Sequence, residues 1–348
     1  MITQSLYHSF QRYRTLQTGV ITALPIVILM PHSACNCQCV MCDIWKDNRN
    51  LKQLTEDDIS SLLVALKRFG TKEVVMSGGE ALLNPNFFLF CDMLASRGIR
   101  ITLLSTGLSL KKNAEKIVEK VSNVIVSLDG DEPTHNRIRN IPNAYGKLRE
   151  GVEALRILNS NFRITARTVI HRLNYMVWDG IIESAKQLGL DQISFLPADV
   201  TSQAFNRETP WDSTRQSDIV PSLRELAAFQ SATANIIARY GREIAAGFIA
   251  ESPGKLNAIF LYYAAFYELN PFPYKKCNAP WVSTVIEADG TVRPCFFHAP
   301  IGNIRNNDLG SVLNSAEAIA FRKQLDVDAN ETCVRCVCHL HLSPRTNI

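Results

Sequence analysis

Short apolar runs alternate with amphipathic helical patterns from residue 26 to residue 196, and this alternation limits the folds open to the chain. The runs are rich in β-branched residues, as is usual for strands that are buried on both faces. The six runs lie at 26–30, 74–76, 101–104, 124–128, 164–169 and 193–196. Helical patterns separate most of them, at 55–69, 86–96, 113–121, 145–158 and 178–188. Strands connected through helices pair in parallel, so the sequence predicts an α/β fold built on a parallel sheet or an open barrel.

Polar and glycine-rich residues follow three of these predicted strands. Ser-Gly-Gly-Glu occupies 77–80, Ser-Thr-Gly occupies 105–107, and Ser-Leu-Asp-Gly occupies 127–130. In α/β barrels the loops at the carboxyl ends of the strands carry the active site, because they can vary while the sheet holds them in place. We therefore expect these three segments to lie together at the working edge of the sheet.

A cysteine run follows the first predicted strand. Cys35, Cys39 and Cys42 have the spacing CxxxCxxC in a segment that reads as a loop. Three thiolates on such a loop suit three irons of a four-iron, four-sulfur cluster and leave the fourth iron for a substrate or cofactor. Cys37 falls outside this spacing and is predicted not to be a ligand. Cys91 lies in an apolar helical pattern and is predicted to be a buried structural thiol.

A second group of cysteines lies near the C-terminus. A hairpin is predicted from 282–286 and 291–293, and a helix near 314–325 follows it. The cysteines around these elements are Cys277, Cys295, Cys333 and Cys336. Cys338, His339 and His341 follow directly, and any of them could replace one of the four as a ligand.

Composition indicates the compartment and the classes of partner. The ten cysteines have tight spacings that favour metal ligation in a reducing cytoplasm over a disulfide framework. The longest apolar stretch, 23–30, is far shorter than the roughly 20 residues that cross a bilayer, and no signal peptide precedes it. The net charge of +4 comes without a long basic run. We expect a cytoplasmic protein that binds neither nucleic acid nor membranes.

The CxxxCxxC run, followed by Gly78-Gly79-Glu80 after the next predicted strand, resembles the radical S-adenosylmethionine (radical SAM) superfamily. The resemblance covers roughly residues 20–200. It implies a partial (βα)6 barrel of the TIM type and a [4Fe-4S] cluster whose open iron is chelated by the cofactor's methionyl amino and carboxylate groups. It also implies reductive cleavage of S-adenosylmethionine to a 5′-deoxyadenosyl radical that abstracts a substrate hydrogen. An external reductant such as flavodoxin or ferredoxin would supply the electron.

The same resemblance assigns cofactor-binding residues. Gly78 and Gly79 permit close backbone approach, and Glu80 can accept hydrogen bonds from the methionyl amino group. Polar groups for the ribose or the methionyl carboxylate are expected from Ser105, Thr106, Ser127 and Asp129. Arg167 could pair with the carboxylate of the cofactor or with the substrate. The alternative is that the four polar residues only form turns and that the arginine is structural or solvated.

The C-terminal spacing resembles the twitch form of the SPASM extension. Twelve residues separate Cys277 from Gly290, four more lead to Cys295, and Cys333-x-x-Cys336 follows. The resemblance implies one auxiliary [4Fe-4S] cluster held by these four cysteines. Four thiolates close every iron, which favours an electron relay over a Lewis acid. Such a relay would permit a net oxidation of the substrate, either a dehydrogenation or an oxidative bond formation.

Four segments are predicted along the chain. They are an N-terminal tail at 1–20, a radical SAM partial barrel at 21–200, a helical insertion at 201–276 and an auxiliary cluster domain at 277–348. Aromatic residues in the last two segments could line a substrate cavity or pack in the core, namely Trp211, Tyr262, Tyr263, Phe296 and Phe297. The predicted substrate is a small molecule.

Three alternatives remain open at this point. The chain could be a peptide maturase of the same superfamily. It could instead be a zinc-binding protein, with Cys333, Cys336, Cys338 and His341 around one ion. It could also keep its clusters and act only as an electron carrier.

Overall fold

A computed structural model describes residues 2–207 and 209–346, so residues 1, 208, 347 and 348 of the predicted segments lie outside the described part. The strands are β1 (Ile26–Leu29), β2 (Glu73–Met76), β3 (Arg100–Ser105), β4 (Asn123–Ser127), β5 (Ile164–Ile170), β6 (Gln192–Pro197), β7 (Ser283–Ile286), β8 (Thr291–Arg293) and β9 (Gly302–Asn303). The helices before β6 are α1 (Ile2–Thr18), α2 (Glu56–Arg68), α3 (Phe87–Ala95), α4 (Leu110–Lys120), α5 (Glu132–Arg139), α6 (Ala144–Leu158) and α7 (Trp178–Gln187). Those after β6 are α8 (Ser213–Ser217), α9 (Leu226–Arg239), α10 (Gly241–Ala245), α11 (Pro253–Ala264), α12 (Ala279–Val282), α13 (Leu309–Leu313), α14 (Ala316–Gln324) and α15 (Glu331–Val334).

The six predicted strands form a parallel sheet, as expected. Each of β1 to β5 pairs in parallel with the next strand along the chain, which gives five consecutive parallel pairs from β1 to β6. The complete order is β6-β5-β4-β3-β2-β1-β7-β8-β9, so β6 lies at one end and does not return to β1. The sheet therefore stays open, which confirms the predicted partial barrel.

The predicted C-terminal hairpin extends this same sheet. β7 and β8 pair antiparallel around the turn that contains Gly290. β7 also pairs in parallel with β1, from Ile26 opposite Ser283 to Leu29 opposite Ile286. The hairpin was expected from its local pattern, whereas its attachment to β1 was not. This pairing places the second group of cysteines beside the first strand of the barrel.

The two faces of the strands have different environments. Val27, Leu29, Val74 and Met76 are at most 1% exposed and belong to the main core. Helices α2, α3, α4 and α6 pack side by side in chain order. The alternate residues of β1 and β2, such as Ile28, line a cavity on the opposite face. The alternation of period two in each strand thus builds a core on one side and leaves a hollow on the other.

The predicted insertion closes the free side of β6. Ile249 forms a parallel bridge with Ile193, and the backbone N–H of Phe195 donates to Glu251 Oε2 at 3.0 Å. Helix α11 follows, and Tyr263 from it donates through its hydroxyl to the carbonyl of Ile170 at 2.6 Å. Tyr262 and Tyr263 of this helix are therefore core residues, which is one of the two roles that the sequence left open for them. Among the described residues, no helix is both long enough and apolar enough to span a membrane.

Candidate active site

One cavity joins the hollow of the barrel to the C-terminal cysteines. Its volume is about 580 Å³, and its wall includes the inward side of the strands, the loops after them and the chain around β7. Eight cysteines line it: Cys35, Cys39, Cys42, Cys277, Cys295, Cys333, Cys336 and Cys338. Both groups of cysteines that the sequence identified therefore face a single space.

The loop of the first cysteine group is fixed by hydrogen bonds from its own neighbourhood. Asn48 accepts from the backbone N–H of Cys35 at 3.0 Å and donates to its carbonyl at 2.9 Å. Trp45 Nε1 donates to the carbonyl of Cys42 at 2.9 Å, and the N–H of Cys42 donates to the carbonyl of Cys39 at 3.2 Å. These bonds fix the backbone of the loop whose residues Cys35, Cys39 and Cys42 line the cavity.

The two remaining N-terminal cysteines are placed as the sequence suggested. Cys37 is 1% exposed, and hydrogen bonding to Cys35 and Cys39, together with burial, raises the pKa of its thiol. Cys91 is fully buried in α3, and burial raises the pKa of its thiol to about 12. Neither residue lines the cavity that Cys35, Cys39 and Cys42 line, which supports the prediction that neither is a ligand.

The two glycines of the Gly-Gly-Glu segment pack directly on the cysteine loop. A β-carbon at Gly79 would lie 2.2 Å from the carbonyl oxygen of Ala34, and one at Gly78 would lie 3.1 Å from the carbonyl oxygen of His32. Gly78 also has a φ of +109°, which side chains other than glycine rarely adopt. The N–H of Glu80 donates to the same Ala34 carbonyl at 3.0 Å. The close approach predicted for these glycines is thus made to the cysteine loop.

Glu80 joins this segment to the turn after β3. It is 0% exposed, and its Oε2 accepts from Ser105 Oγ at 3.0 Å, from Thr106 N at 2.9 Å and from Thr106 Oγ1 at 2.7 Å. Its Oε1 accepts from Leu82 N at 3.3 Å. Burial raises the pKa of Glu80, and the hydrogen bonds from Thr106 and Ser105 oppose that rise. Ser105 and Thr106 line the cavity, and Glu80 holds them from behind.

Asp129 is also buried behind the cavity wall, where it holds the side chain of Arg139. The sequence had not identified Arg139 as a site residue. Asp129 is 0% exposed, forms an ion pair with Arg139, and accepts from Val169 N at 3.2 Å. Burial raises the pKa of Asp129, and the charge of Arg139 opposes that rise. Arg139 Nη1 donates to Cys39 Sγ at 3.5 Å and lines the cavity. Its position at the end of α5, directly after the Asp129 turn, is the local signal that could have identified it.

Ser127 and Arg167 lie next to each other on the inner face. They are register partners in β4 and β5, and both line the cavity. The Arg167 side chain is exposed, and its Nε donates to Ser194 Oγ over 3.4 Å. The structure thus brings Ser105, Thr106, Ser127 and Arg167 to the cavity wall, whereas Glu80 and Asp129 lie behind it.

Cys333 and Cys336 are positioned by α15 and by the loop before it. Asn330 accepts from Cys333 N at 3.2 Å, and Cys333 carbonyl accepts from Cys336 N at 3.2 Å. Burial raises the pKa of Cys295 to about 11 and that of Cys333 to about 12, so a bound cation would be needed to keep them as thiolates. His298 Nε2 lies 3.3 Å from Cys333 Sγ, a contact that no spacing in the sequence had suggested.

A loop from the insertion touches both cysteine regions. Trp211 is 8% exposed, and its Nε1 donates at 2.6 Å to Asp43, the residue after Cys42. Phe205 lines the cavity with its ring 4.9 Å from that of Phe296, the residue after Cys295. Of the aromatic residues considered from the sequence, Phe296 and Phe297 line the cavity, whereas Trp211, Tyr262 and Tyr263 are buried elsewhere.

The two groups of cysteine thiols have the donor chemistry of the iron-sulfur clusters that the sequence suggested. Soft thiol ligands face the cavity from two sides, and the glycine pair lets the first cysteine loop pack without a side chain in between. Arg139, which contacts Cys39, would offset the negative charge of a thiolate-bound cluster.

Two protein-family models match separate parts of the chain. Residues 29–195 match the radical SAM superfamily, and residues 277–337 match the SPASM iron-sulfur cluster-binding domain. The first match implies a [4Fe-4S] cluster and S-adenosylmethionine, and the second implies auxiliary iron-sulfur chemistry. The second match also favours iron-sulfur ligation over a zinc site for the C-terminal cysteines.

Individual relatives are distant. An AdoMet-dependent heme synthase of Methanosarcina barkeri is 29% identical over 164 residues, and the match covers 45% of this chain and 46% of that protein. The chain therefore spans less than half the length of this relative. The sporulation killing factor maturation protein SkfB of Bacillus subtilis is 22% identical over 315 residues, covering 89% of this chain and 68% of SkfB.

The fold has close counterparts among solved structures. SuiB of Streptococcus suis, bound to its precursor peptide SuiA, superposes with a TM-score of 0.64 at 14% identity. The superposition covers 93% of this chain and 72% of SuiB. At 14% identity this similarity shows a shared fold and carries no information about the substrate.

Proposed function

Because residues 29–195 match the radical SAM superfamily and residues 277–337 match the SPASM domain, we propose that this chain is a radical SAM oxidoreductase whose two clusters act on one substrate. The observation that supports this proposal is the single cavity of about 580 Å³ lined by both groups of cysteines. A substrate in that space would reach the N-terminal cysteine loop on one side and the C-terminal cysteines on the other.

The N-terminal site is assigned to cofactor binding and cleavage. Cys35, Cys39 and Cys42 would hold three irons of a [4Fe-4S] cluster, and the amino and carboxylate groups of S-adenosylmethionine would complete the fourth. The hydroxyls that line the wall beside this loop would contact the rest of the cofactor; they belong to Ser105, Thr106 and Ser127. Glu80 is assigned to orienting two of these hydroxyls, because its carboxylate already accepts from both.

Arg139 and Asp129 are assigned to the same site as a pair. The Arg139 guanidinium lies against Cys39 and lines the cavity, so it is placed to meet the negative charge of the cofactor carboxylate. Asp129 holds this guanidinium in position from its fully buried site.

The C-terminal site is assigned to electron transfer. Cys277, Cys295, Cys333 and Cys336 supply four thiolates for one auxiliary [4Fe-4S] cluster, and Cys338 stands beside them as a fifth thiol. When bound, the two clusters and the cofactor supply reductive cleavage of S-adenosylmethionine, hydrogen abstraction by the 5′-deoxyadenosyl radical, and uptake of one electron from the substrate radical. With loss of one proton, the substrate undergoes a net two-electron oxidation.

The proposed substrate is a small molecule, and the proposed reductant is a protein such as flavodoxin or ferredoxin. The cavity volume of about 580 Å³ falls within the range of pockets that enclose small ligands. Maturation of a peptide is the second candidate, and the similarity to SkfB over 89% of this chain favours it. In that case one residue of the peptide, rather than a whole molecule, would occupy the cavity.

Formation of 5′-deoxyadenosine tests the proposal. Anaerobically reconstituted protein is reduced, mixed with S-adenosylmethionine and analysed by chromatography and mass spectrometry. The wild-type protein and the core variant Cys91→Ala should form 5′-deoxyadenosine, whereas Cys39→Ala should form none. A wild-type protein that carries its clusters but forms no 5′-deoxyadenosine would instead be an electron carrier.

A further inference from the structure

The cavity contains an arginine without a carboxylate partner. Arg167 lies in the middle of β5 with an exposed side chain, and the hydrogen bond to Ser194 Oγ is long at 3.4 Å. Among the described residues Arg167 forms no ion pair, and the hydrogen bond to Ser194 is its side-chain contact; the charge of Arg167 still reaches Glu251. Its register neighbours are Ser127 and Ser194, and the apolar residues Ile125, Val169 and Leu196 also line the cavity. A guanidinium in such surroundings binds an anion favourably.

The other cations of the cavity already have partners. Arg139 forms an ion pair with Asp129 and contacts Cys39, which places its charge beside the N-terminal cysteine loop. Lys275 Nζ donates to the carbonyl of Val334 at 2.8 Å. Glu251 is the carboxyl group whose pKa feels the charge of Arg167: burial raises that pKa to about 7, and Arg167 opposes the rise. Because Arg139 lies beside the N-terminal cysteine loop, the cofactor carboxylate is assigned to it, and Arg167 is assigned to another ligand.

An aromatic wall forms another side of the same cavity. Phe205 lies edge-on to Phe296 at 4.9 Å and 71°, and Phe297 lies 5.5 Å from Phe296. Phe205 has a φ of +63°, which is uncommon for a bulky residue. The loop keeps this conformation beside the buried ion pair between Arg207 Nη1 and Asp199 Oδ2, 2.6 Å long. The fold thus holds an aromatic ring at the cavity in a conformation that an unconstrained loop would avoid.

On the premise of the proposed function, we propose that the substrate is a carboxylic acid with an apolar or aromatic body. Its carboxylate pairs with the guanidinium of Arg167, and its body packs against Phe205 and Phe296. The pair fixes the orientation of the substrate in an otherwise apolar cavity, where few other directional contacts are available. Arg167 is therefore a substrate-binding residue.

Isothermal titration with a matched pair of probes tests this site. Reconstituted, S-adenosylmethionine-loaded protein is titrated with 3-phenylpropanoate and with 3-phenylpropanamide, which has the same shape without the charge. The wild-type protein should bind the acid at least tenfold more tightly, about 1.4 kcal/mol. Arg167→Gln should remove this preference, and Arg167→Lys should restore part of it. The control Arg163→Gln, at an exposed arginine just before β5, should keep the wild-type preference.

Three results would overturn the assignment. They are an equal affinity of the wild-type protein for acid and amide, an unchanged preference in Arg167→Gln, and a tenfold loss of S-adenosylmethionine affinity in that variant. The last result would make Arg167 a cofactor ligand while leaving the proposed radical chemistry intact. Failure of the wild-type protein to form 5′-deoxyadenosine would instead refute the proposed function, so the two failures are distinguishable. Phe205→Ala should weaken acid and amide alike, and a loss confined to the acid would contradict the aromatic wall.

Discussion

Replacing Gly79 by alanine should disable the N-terminal cluster site while the rest of the protein folds. The new β-carbon would lie 2.2 Å from Ala34 O, 2.6 Å from Ala34 C and 2.9 Å from Cys35 N. Real β-carbons keep at least 3.0 Å from such atoms, so the peptide bond before Cys35 must retreat by about 0.8 Å. The hydrogen bond from Glu80 N to Ala34 O, now 3.0 Å, would stretch beyond its useful range, at a cost of about 0.5–1.5 kcal/mol.

This displacement exceeds what the site can tolerate. Functional constellations need their groups within about 0.5 Å of the productive geometry, and a shift near 1 Å can reduce a rate about a hundredfold. We therefore expect Gly79→Ala to lose the N-terminal cluster on reconstitution, so that iron falls from about eight to about four atoms per chain. Formation of 5′-deoxyadenosine should fall with it.

The control is Gly180→Ala, in the helix α7. A β-carbon there meets nothing within 4 Å, so iron content and cleavage should equal those of the wild-type protein. Wild-type iron content and unchanged S-adenosylmethionine affinity in Gly79→Ala would show that the cysteine loop does not depend on this glycine.

Three further predictions concern separate parts of the molecule. Cys37→Ala should keep full iron content by chemical analysis, since Cys37 is buried and does not line the cavity; a loss like that of Cys39→Ala would make it a ligand. Trp211→Phe removes the 2.6 Å hydrogen bond to Asp43 and should lower the free energy of unfolding in guanidinium by about 1.5–3 kcal/mol. Burial raises the pKa of Glu251 to about 7, so its ionisation destabilises the fold as pH rises from about 4.5 to 7. Glu251→Gln should flatten this part of the curve of unfolding free energy against pH, and an unchanged slope would refute the assignment.

Local patterns in the sequence were sufficient to predict the strands of the barrel and the two groups of cysteines. The apolar runs predicted β1 to β6 and their parallel pairing, because strand and helix periods are properties of neighbouring residues. The attachment of β7 to β1 could not be read in this way. It joins Ile26 to Ser283, and nothing in either short run selects that partner.

The direction in which a side chain points was the second feature that the sequence could not predict. The sequence placed Glu80 and Asp129 at the correct edge of the sheet, and both residue types suit contact with a cofactor. Their orientation depends on which donors surround them once the loops fold: Thr106 and Ser105 engage Glu80, and Arg139 engages Asp129. Each carboxylate therefore supports a neighbour that faces the cavity. These contacts join residues from different loops, so spacing along the chain does not reveal them.

Electron paramagnetic resonance of a protein with a single cluster probes the proposed open iron most directly. The double variant Cys295→Ala/Cys333→Ala should retain only the N-terminal cluster, whose reduced signal should change its g values when S-adenosylmethionine is added. A spectrum that stays the same at saturating S-adenosylmethionine would show that this iron does not bind the cofactor, and the proposed chemistry would then be wrong.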